Sequence, residues 1–96
     1  MIDLEPESLV EVQQILLEHV PDCEVRVYGS RVSGKAKRFS DLDLAIVGKE
    51  MLGLRQISRL KEAFSESNLP IMVGVQDWNQ ISDNFQNIIE QHYEVL

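Results

Sequence analysis

The chain has 96 residues, a formal net charge of −7 and a 44% share of hydrophobic residues. This length limits it to one small domain with a modest core, so we expect residues 1–96 to form a single domain. The acidic balance excludes a general affinity for nucleic acid, whose phosphates attract basic surfaces. No apolar run is long enough to span a bilayer and no basic-then-apolar leader opens the sequence, so we expect a cytoplasmic protein without membrane contact.

The first predicted element is an amphipathic helix over about residues 8–19. We place Ser8 as its N-cap, with Glu11 in the capping-box position, and expect Pro21 and Asp22 to end it. Apolar side chains recur at the spacing of one helical face, at Leu9, Val12, Ile15, Leu16 and Leu17.

Residues 23–28 alternate as a strand that ends at a Gly29–Ser30 turn. At such a turn, bare backbone N–H groups can meet phosphate oxygens, as helix N-termini and backbone nests do. Cys23 shares the strand parity of Val25 and Val27, which indicates a core thiol rather than a reactive one. Because it is the single cysteine, an internal disulfide and a cysteine-rich zinc site are also excluded.

A basic insert follows the turn and is expected to be a short helix or an ordered loop over about residues 31–37. Five of the nine cationic side chains lie in this region or shortly before it, at Arg26, Arg31, Lys35, Lys37 and Arg38. Charge clusters are usually solvated loops, but this one lies between a phosphate-type turn and a pair of carboxylates. Its position favours a role in binding an anionic ligand.

The second predicted strand covers residues 41–47. Asp41 and Asp43 lie two residues apart, so on a strand both carboxylates project to the same face. The alternate residues Leu42, Leu44 and Ile46 are expected to face the core. Adjacent carboxylates repel each other unless a cation lies between them, and Mg²⁺ prefers such oxygen ligands. Turn, insert and carboxylates together predict a site for a nucleoside triphosphate with Mg²⁺.

The remaining sequence predicts a helix over about residues 54–67, a strand over 71–75 and a last helix over 82–92. The apolar stripe of the first of these helices is Leu54, Ile57, Leu60 and Phe64, with Lys61 at its edge. The last helix is expected to begin after Ser82 as cap and to turn Phe85, Ile88 and Ile89 inward. Val95 and Leu96 either add a short strand or end the chain. The order of elements predicts an α/β domain.

The motifs resemble those of a known family. Gly29-Ser30, ten residues and then Asp41-Leu42-Asp43 is similar to the pattern of the DNA-polymerase-β-like nucleotidyltransferase superfamily. The Gly-Ser-Arg-x-x-Gly-Lys-Ala start and the Ser-Asp-Leu-Asp-Leu-Ala-Ile end resemble its smallest members, the minimal nucleotidyltransferases or MNT domains. The segment from Leu60 to Pro70 and the pair Asp77-Trp78 extend the resemblance over nearly the whole chain.

This resemblance implies a fold and a chemistry. The fold would be the polymerase-β-like one, an α/β (α+β) arrangement with a small mixed sheet flanked by helices. The reaction would move NMP, with AMP from ATP as the first choice, from NTP·Mg²⁺ to an acceptor hydroxyl. Asp41 and Asp43 would bind the metal in a two-metal site. The nucleotide-binding residues would be Gly29, Ser30, Arg31 and Lys35.

The resemblance also implies a partner, because the chain is too small to contain a separate substrate-binding domain. That partner would be a helical HEPN-type protein, often the toxin of a toxin–antitoxin pair, which antitoxins of this kind modify on a tyrosine. An exposed edge strand in so small a sheet leaves both a homodimer and a heteromeric complex open.

One position departs from the family pattern. Alignment on Pro70 and Asp77-Trp78 places the expected third carboxylate on Gly74. In the superfamily this carboxylate helps to bind the metal near the attacking hydroxyl and favours deprotonation of that hydroxyl. Asp77 is not expected to substitute, because it shares the parity of Val73 and Val75 on the core face. The chain is then a weakened or inactive member, or the position has been changed, or another group takes its place.

Two hypotheses follow from this departure. The first is an active nucleotidyltransferase whose metals are bound by Asp41 and Asp43, although loss of the third carboxylate should weaken the metal on the nucleophile side most and slow the transfer. The second is a binding subunit that keeps the fold and nucleotide affinity and neutralises its partner by contact alone, which Gly74 favours. A third interpretation, in which Asp41 and Asp43 are merely solvated acids at a strand end, leaves the rest of the motif unexplained.

Overall fold

Helices and strands alternate along the chain, as the sequence predicts. The computed structural model describes residues 2–96. The helices are α1 (Pro6–His19), α2 (Ser30–Ser33), α3 (Leu54–Ser65) and α4 (Asp83–Gln91), and the strands are β1 (Glu24–Tyr28), β2 (Leu42–Val47), β3 (Val73–Asp77) and β4 (Glu94–Val95). Within residues 2–96, no helix combines the length and the apolar character that crossing a membrane requires.

The strands form a mixed sheet in the order β3-β2-β1-β4. Strand β1 pairs antiparallel with β2 and with β4, whereas β2 pairs parallel with β3. Parallel neighbours need a crossover connection, and α3 lies in the one between β2 and β3. The expected fold, a small mixed sheet flanked by helices, is confirmed.

The hydrophobic core lies between one face of this sheet and helices α1 and α3. The helices contribute Val12, Leu16, Leu60 and Phe64, and the strands contribute Val25, Val27, Leu42, Leu44, Ile46 and Val75. The predicted core parity of β2 is therefore confirmed. Cys23 is partly buried and packs against the same core, as its parity indicated.

The other face of the sheet is the one on which the predicted carboxylates lie, and α4 packs against part of it. The ring of Phe85 in α4 meets the ring of Tyr28 in β1 edge-on, with centroids 5.8 Å apart. Ile89 of the same helix is only 1% exposed. One face of the sheet thus serves the core, while the opposite face is shared by α4 and the candidate site.

Helix α1 begins earlier than the sequence suggested, and its cap was predicted wrongly. Pro6 occupies the first turn, Glu5 is the N-cap residue, and Ser8 is buried within the helix. Proline is well suited to the first helical position because its φ is already helical and its missing N–H has no partner there. The carboxylate of Glu11 instead accepts a hydrogen bond from the backbone N–H of Asn68 at 3.2 Å.

Three apolar residues expected on buried faces are exposed. They are Leu17 at 68%, Leu54 at 83% and Ile88 at 58% exposure. Leu54 is the first residue of α3, and Leu17 and Ile88 each have a more deeply buried neighbour, at positions 16 and 89. Two consecutive helical residues point about 100° apart, so the narrow contact with the sheet buries only one of them.

The bounds of the last elements agree only partly with the sequence prediction. Strand β3 starts and ends two residues later than predicted, at Val73 and Asp77. Ser82 caps α4 as expected, since its hydroxyl accepts a hydrogen bond from the N–H of Phe85 at 3.1 Å. Of the two endings left open, the structure has the short strand, β4, which pairs with Arg26 and Val27 of β1.

Candidate active site

The turn after β1 depends on a glycine that packs directly against an aspartate. Gly29 has φ of +80° and ψ of −156°, a region that is essentially restricted to glycine. A Cβ atom at this position would lie 2.5 Å from Oδ2 of Asp43. The carbonyl of Gly29 accepts the N–H groups of Val32 and Ser33, so the chain turns from β1 straight into the single turn of α2. The fold thereby brings the Gly-Ser turn and the second aspartate together.

Asp43 occupies the middle of the site face of the sheet. It pairs with Tyr28 of β1 on one side and with Gly74 of β3 on the other. Partial burial, followed by the negative charge of Asp41, raises the pKa of the Asp43 carboxyl above its ordinary value. Asp41 itself is exposed and lies immediately before β2. The charge of Asp41 therefore disfavours ionisation of Asp43, an effect that a bound cation would relieve.

Gly74 lies where a third carboxylate would complete the group. It pairs with Asp43 in the parallel register, and a Cβ atom added to it would be 3.1 Å from Oδ1 of Asp43. A side chain at this position would thus project next to the carboxylate of Asp43. The sequence alignment and the strand register therefore both place the position of the expected third carboxylate at Gly74.

Other side chains do not extend this pair in the described part of the chain. Asp77 is buried on the core side, where its carboxylate accepts hydrogen bonds from the N–H groups of Leu52 at 2.8 Å and Asn79 at 3.0 Å. Within residues 2–96, no group of three or more His, Cys, Asp or Glu side chains could hold a metal ion. The hard oxygen donors at this position are therefore the carboxylates of Asp41 and Asp43, whose combined negative charge a divalent cation would offset.

Arg31 has an architectural role that the sequence did not reveal. Its side chain is only 7% exposed, and its guanidinium donates to the carbonyls of Asp3 at 3.1 Å, Arg38 at 3.1 Å and Ser40 at 2.9 Å. The N–H of Asp3 returns a bond to the carbonyl of Arg31. One buried cation thus ties the N-terminal segment to the basic loop and to the residue before Asp41. These contacts favour ordering of the loop over the direct phosphate contact that the motif implied.

Replacing Arg31 with methionine should lower the free energy of unfolding by about 2 kcal/mol, because three backbone carbonyls would lose a charged donor. Urea denaturation would measure this change, and hydrogen exchange should show faster exchange in the loop at residues 34–40. Arg38→Met is the matched control, since Arg38 is exposed in the same loop. Equal stability of the two variants would contradict the role assigned to Arg31.

Arg26 is a second cationic residue that contacts neighbouring side chains of the protein, although its place near the basic insert favoured a role in binding an anionic ligand. Its guanidinium lies between two aromatic rings, 4.7 Å from the Trp78 centroid and 4.6 Å from the Tyr93 centroid. It also donates to the carboxylate of Glu24 at 2.6 Å. Arg26 therefore covers the site face of the sheet as part of a stack. Of the predicted phosphate-binding set, Lys35 is exposed, and Ser30 is half-buried.

Tyr28 lies beside the candidate site, opposite Asp43 in the pairing of β1 with β2. Burial, and secondarily the charge of Asp43, raises the pKa of Tyr28 to about 12. The signal for its position was the antiparallel pairing of the two strands around a common turn, which sets the last residue of β1 opposite Asp43.

Replacing Asp43 with asparagine should raise the melting temperature of the metal-free protein by about 2 °C at about pH 7. The pKa of Asp43 is raised by folding, so its ionisation destabilises the folded state once the pH exceeds the ordinary value for aspartate. The gain should vanish near about pH 3, where both states keep the proton. Thermal denaturation in chelator at both pH values measures it.

Excess Mg²⁺ should then stabilise the original protein more than the Asp43→Asn variant, because only the former keeps the carboxylate pair. Glu90→Gln, at an exposed acid of α4, is the control and should change neither value. A melting temperature of Asp43→Asn that falls at both pH values would contradict the assigned cause of the shift.

Comparisons with known proteins identify the family and the fold of the chain. A family model described as polymerase beta, nucleotidyltransferase matches residues 11–96. The chain is 50% identical over 95 residues to a probable protein adenylyltransferase MntA of Haemophilus influenzae, a match that covers 99% of this chain and 83% of the relative. A solved crystal structure of a toxin–antitoxin with AMP-PNP superposes with a TM-score of 0.76 at 20% identity, over 90% of this chain and 69% of that one. At that identity the superposition shows a shared fold.

Proposed function

This chain belongs to the polymerase-β nucleotidyltransferase family, and from that membership we propose that it transfers AMP from ATP·Mg²⁺ to a hydroxyl group of a partner protein. The observation that carries the proposal is the contact of Gly29 with Asp43, which puts a glycine turn next to a carboxylate pair. The name of the relative, a probable protein adenylyltransferase, supports AMP as the group and protein as the acceptor.

Different residues of the chain would bind the metal and the triphosphate. Asp41 and Asp43 would hold Mg²⁺, and the exposed Lys35 would offset the charge of the triphosphate together with the backbone of the turn. The residues that would contact phosphates are Gly29, Ser30 and Lys35. Mg²⁺ bound with the nucleotide supplies charge that neutralises the phosphoryl oxygens. Arg31 would hold the loop that carries Lys35 in place by its three carbonyl contacts.

The proposed reaction is a displacement at the α-phosphorus of ATP. The acceptor oxygen forms a bond to that phosphorus, the bond from the α-phosphorus to the bridging oxygen breaks, and pyrophosphate leaves with the electron pair. The hydroxyl proton passes to solvent or to a base, and Gly74 supplies no carboxylate for that purpose. Positioning and charge neutralisation are therefore the contributions expected of this chain.

We propose a helical HEPN-type protein as the partner and one of its tyrosines as the acceptor. The likeness of the fold to an antitoxin-containing complex is consistent with a protein partner. The test is transfer of radiolabelled AMP from ATP·Mg²⁺ to a candidate HEPN-type partner protein. Label should appear on the partner with the original chain and be lost with Asp43→Asn. Label that persists with both Asp41 and Asp43 changed to asparagine would refute the site.

A second candidate function has one specific observation in its favour. Gly74 leaves empty the position beside Asp43 where a third carboxylate would stand. The chain could then bind ATP·Mg²⁺ and its partner without transferring AMP, so that it neutralises the partner by contact. Nucleotide binding without label transfer in the experiment above would support neutralisation by contact over AMP transfer.

A further inference from the structure

Strand β3 forms an open edge of the sheet. Among residues 2–96, it pairs with β2 on one side and has no strand neighbour on the other. A groove of about 640 Å³ runs along the free side, lined by residues 69–76 and by Lys61, Phe64 and Ser65 of α3. Natural sheets usually protect such an edge with charged side chains or proline. Residues 73–76 contain neither, so the edge is open to another strand.

The hydrogen bonds of β3 show which backbone groups are free at this edge. The carbonyl of Met72 accepts the N–H of Leu42 at 2.9 Å, and the N–H of Trp78 donates to the carbonyl of Ile46 at 3.0 Å. The backbone groups of consecutive strand residues point to opposite sides. The even-numbered residues of this segment therefore face β2, whereas the odd-numbered residues of β3 direct their N–H and C=O groups outward.

This edge is complementary to itself when two copies pair antiparallel. With the two-fold axis at Val75, Gly74 lies opposite Gln76 of the second copy and Met72 lies opposite its Trp78. Gly74 has no side chain and Gln76 is exposed, so the glutamine of one copy finds room over the glycine of the other. Met72 is 75% exposed, and a thioether packs favourably against an aromatic ring.

We propose that this chain forms a two-fold dimer in which the β3 strands pair antiparallel and Gln76 of each copy reaches over Gly74 of the other toward Asp43. Gly74 and Gln76 make no backbone hydrogen bonds to each other, and in such pairs the Cα atoms are only about 4.5 Å apart. Asp43 is the neighbour of Gly74 on its other side. The amide of Gln76 then lies beside Asp43, where the expected third carboxylate is missing.

Two properties of the edge favour a second copy as its occupant. The fit is mutual, because each large exposed side chain on the site face meets a residue of the copy that can accommodate it. The segment 68–76 contains no charged residue, so the net charge of −7 on each chain is not placed in the contact. An amide also offers an N–H donor to a carboxylate and a hard oxygen to a cation. The dimer thereby completes the site despite Gly74.

The first test reads the strand register through a disulfide. Gly74→Cys chains are mixed with Gln76→Cys chains, each also carrying Cys23→Ser to remove the native thiol, and the mixture is mildly oxidised. The Cα separation of this pair suits a disulfide, so we expect a cross-linked heterodimer from the mixture and little cross-linking of either variant alone. Gly74→Cys mixed with Gln14→Cys is the matched control, since Gln14 is exposed on α1.

The second test measures the dimer by sedimentation equilibrium of the full chain without nucleotide. We expect the original chain to sediment with twice the mass of one chain. Gln76→Glu should weaken the dimer about tenfold, because a second carboxylate would then face Asp43 in both halves of the interface. Gln14→Glu adds the same charge on α1 and should leave the dimer unchanged. Both residues are exposed, so both variants should fold, which circular dichroism checks.

Each contrary outcome has a definite meaning. A heterodimer yield no greater than that of the Gln14 control would overturn the register. A monomeric original chain would overturn the dimer. A dimer that Gln76→Glu weakens no more than Gln14→Glu forms through another surface, which also overturns the proposal. Neither measurement uses ATP or a partner protein, so the proposed function stands or fails separately.

Discussion

Replacing Gly29 with alanine should lower the free energy of unfolding by about 3 kcal/mol and abolish AMP transfer. Two effects add at this position. The backbone angles are available essentially to glycine alone, and the new Cβ atom would lie 2.5 Å from Oδ2 of Asp43. The strain therefore falls on the carboxylate that we propose to bind the metal. Chemical denaturation measures the stability, and label transfer measures the activity.

Gly34→Ala is a closely matched control for this change. Gly34 also has a positive φ, of +83°, but a Cβ atom there would meet no atom within 4 Å. It should cost about 1 kcal/mol, as expected for alanine in the left-handed region, and retain most activity. The difference between the two variants isolates the contact with Asp43. Equal losses of stability and activity in both would show that the contact has no separate effect.

Replacing Gly74 with aspartate should raise the rate of AMP transfer by at least about tenfold at saturating Mg²⁺. A carboxylate at this position would stand beside Oδ1 of Asp43, which must shift by a few tenths of an ångström to accommodate it. In the absence of metal the variant should be less stable than the original chain by about 1 kcal/mol, because three acids would then share one small region. Mg²⁺ should reverse that loss.

Gly74→Asn is the control that keeps the size and removes the charge. It should suffer a similar steric shift at Asp43 but gain neither Mg²⁺ affinity nor activity. If only Gly74→Asp labels the partner, the original chain is a competent scaffold that acts by binding. If the original chain labels as fast as Gly74→Asp, two aspartates suffice. Loss of transfer in Gly74→Asp at saturating Mg²⁺ would mean that position 74 is not a ligand position.

Local patterns predicted the elements well where a strong periodic signal met a clear stop. Alternation over residues 42–47 identified β2 and its core face, and Ser82 identified the start of α4. The start of α1 was wrong because a serine cap and a proline in the first turn are competing signals, and the proline prevailed. The prediction that Leu54 and Ile88 are buried was wrong, because periodicity shows which face of a helix is apolar but not how much of that face packs against the sheet.

The sequence by itself determined the family and the chemical character of the site, because a Gly-Ser turn, a basic insert and two aspartates at strand parity are local patterns. Only the tertiary structure decided how distant parts meet, since strand register and helix placement arise from packing of the whole core. That packing sets Gly29 and Gly74 on either side of Asp43. It also buries Arg31 among three carbonyls and places α4 beside the turn, because contacts between residues far apart in sequence leave no periodic signal in either segment.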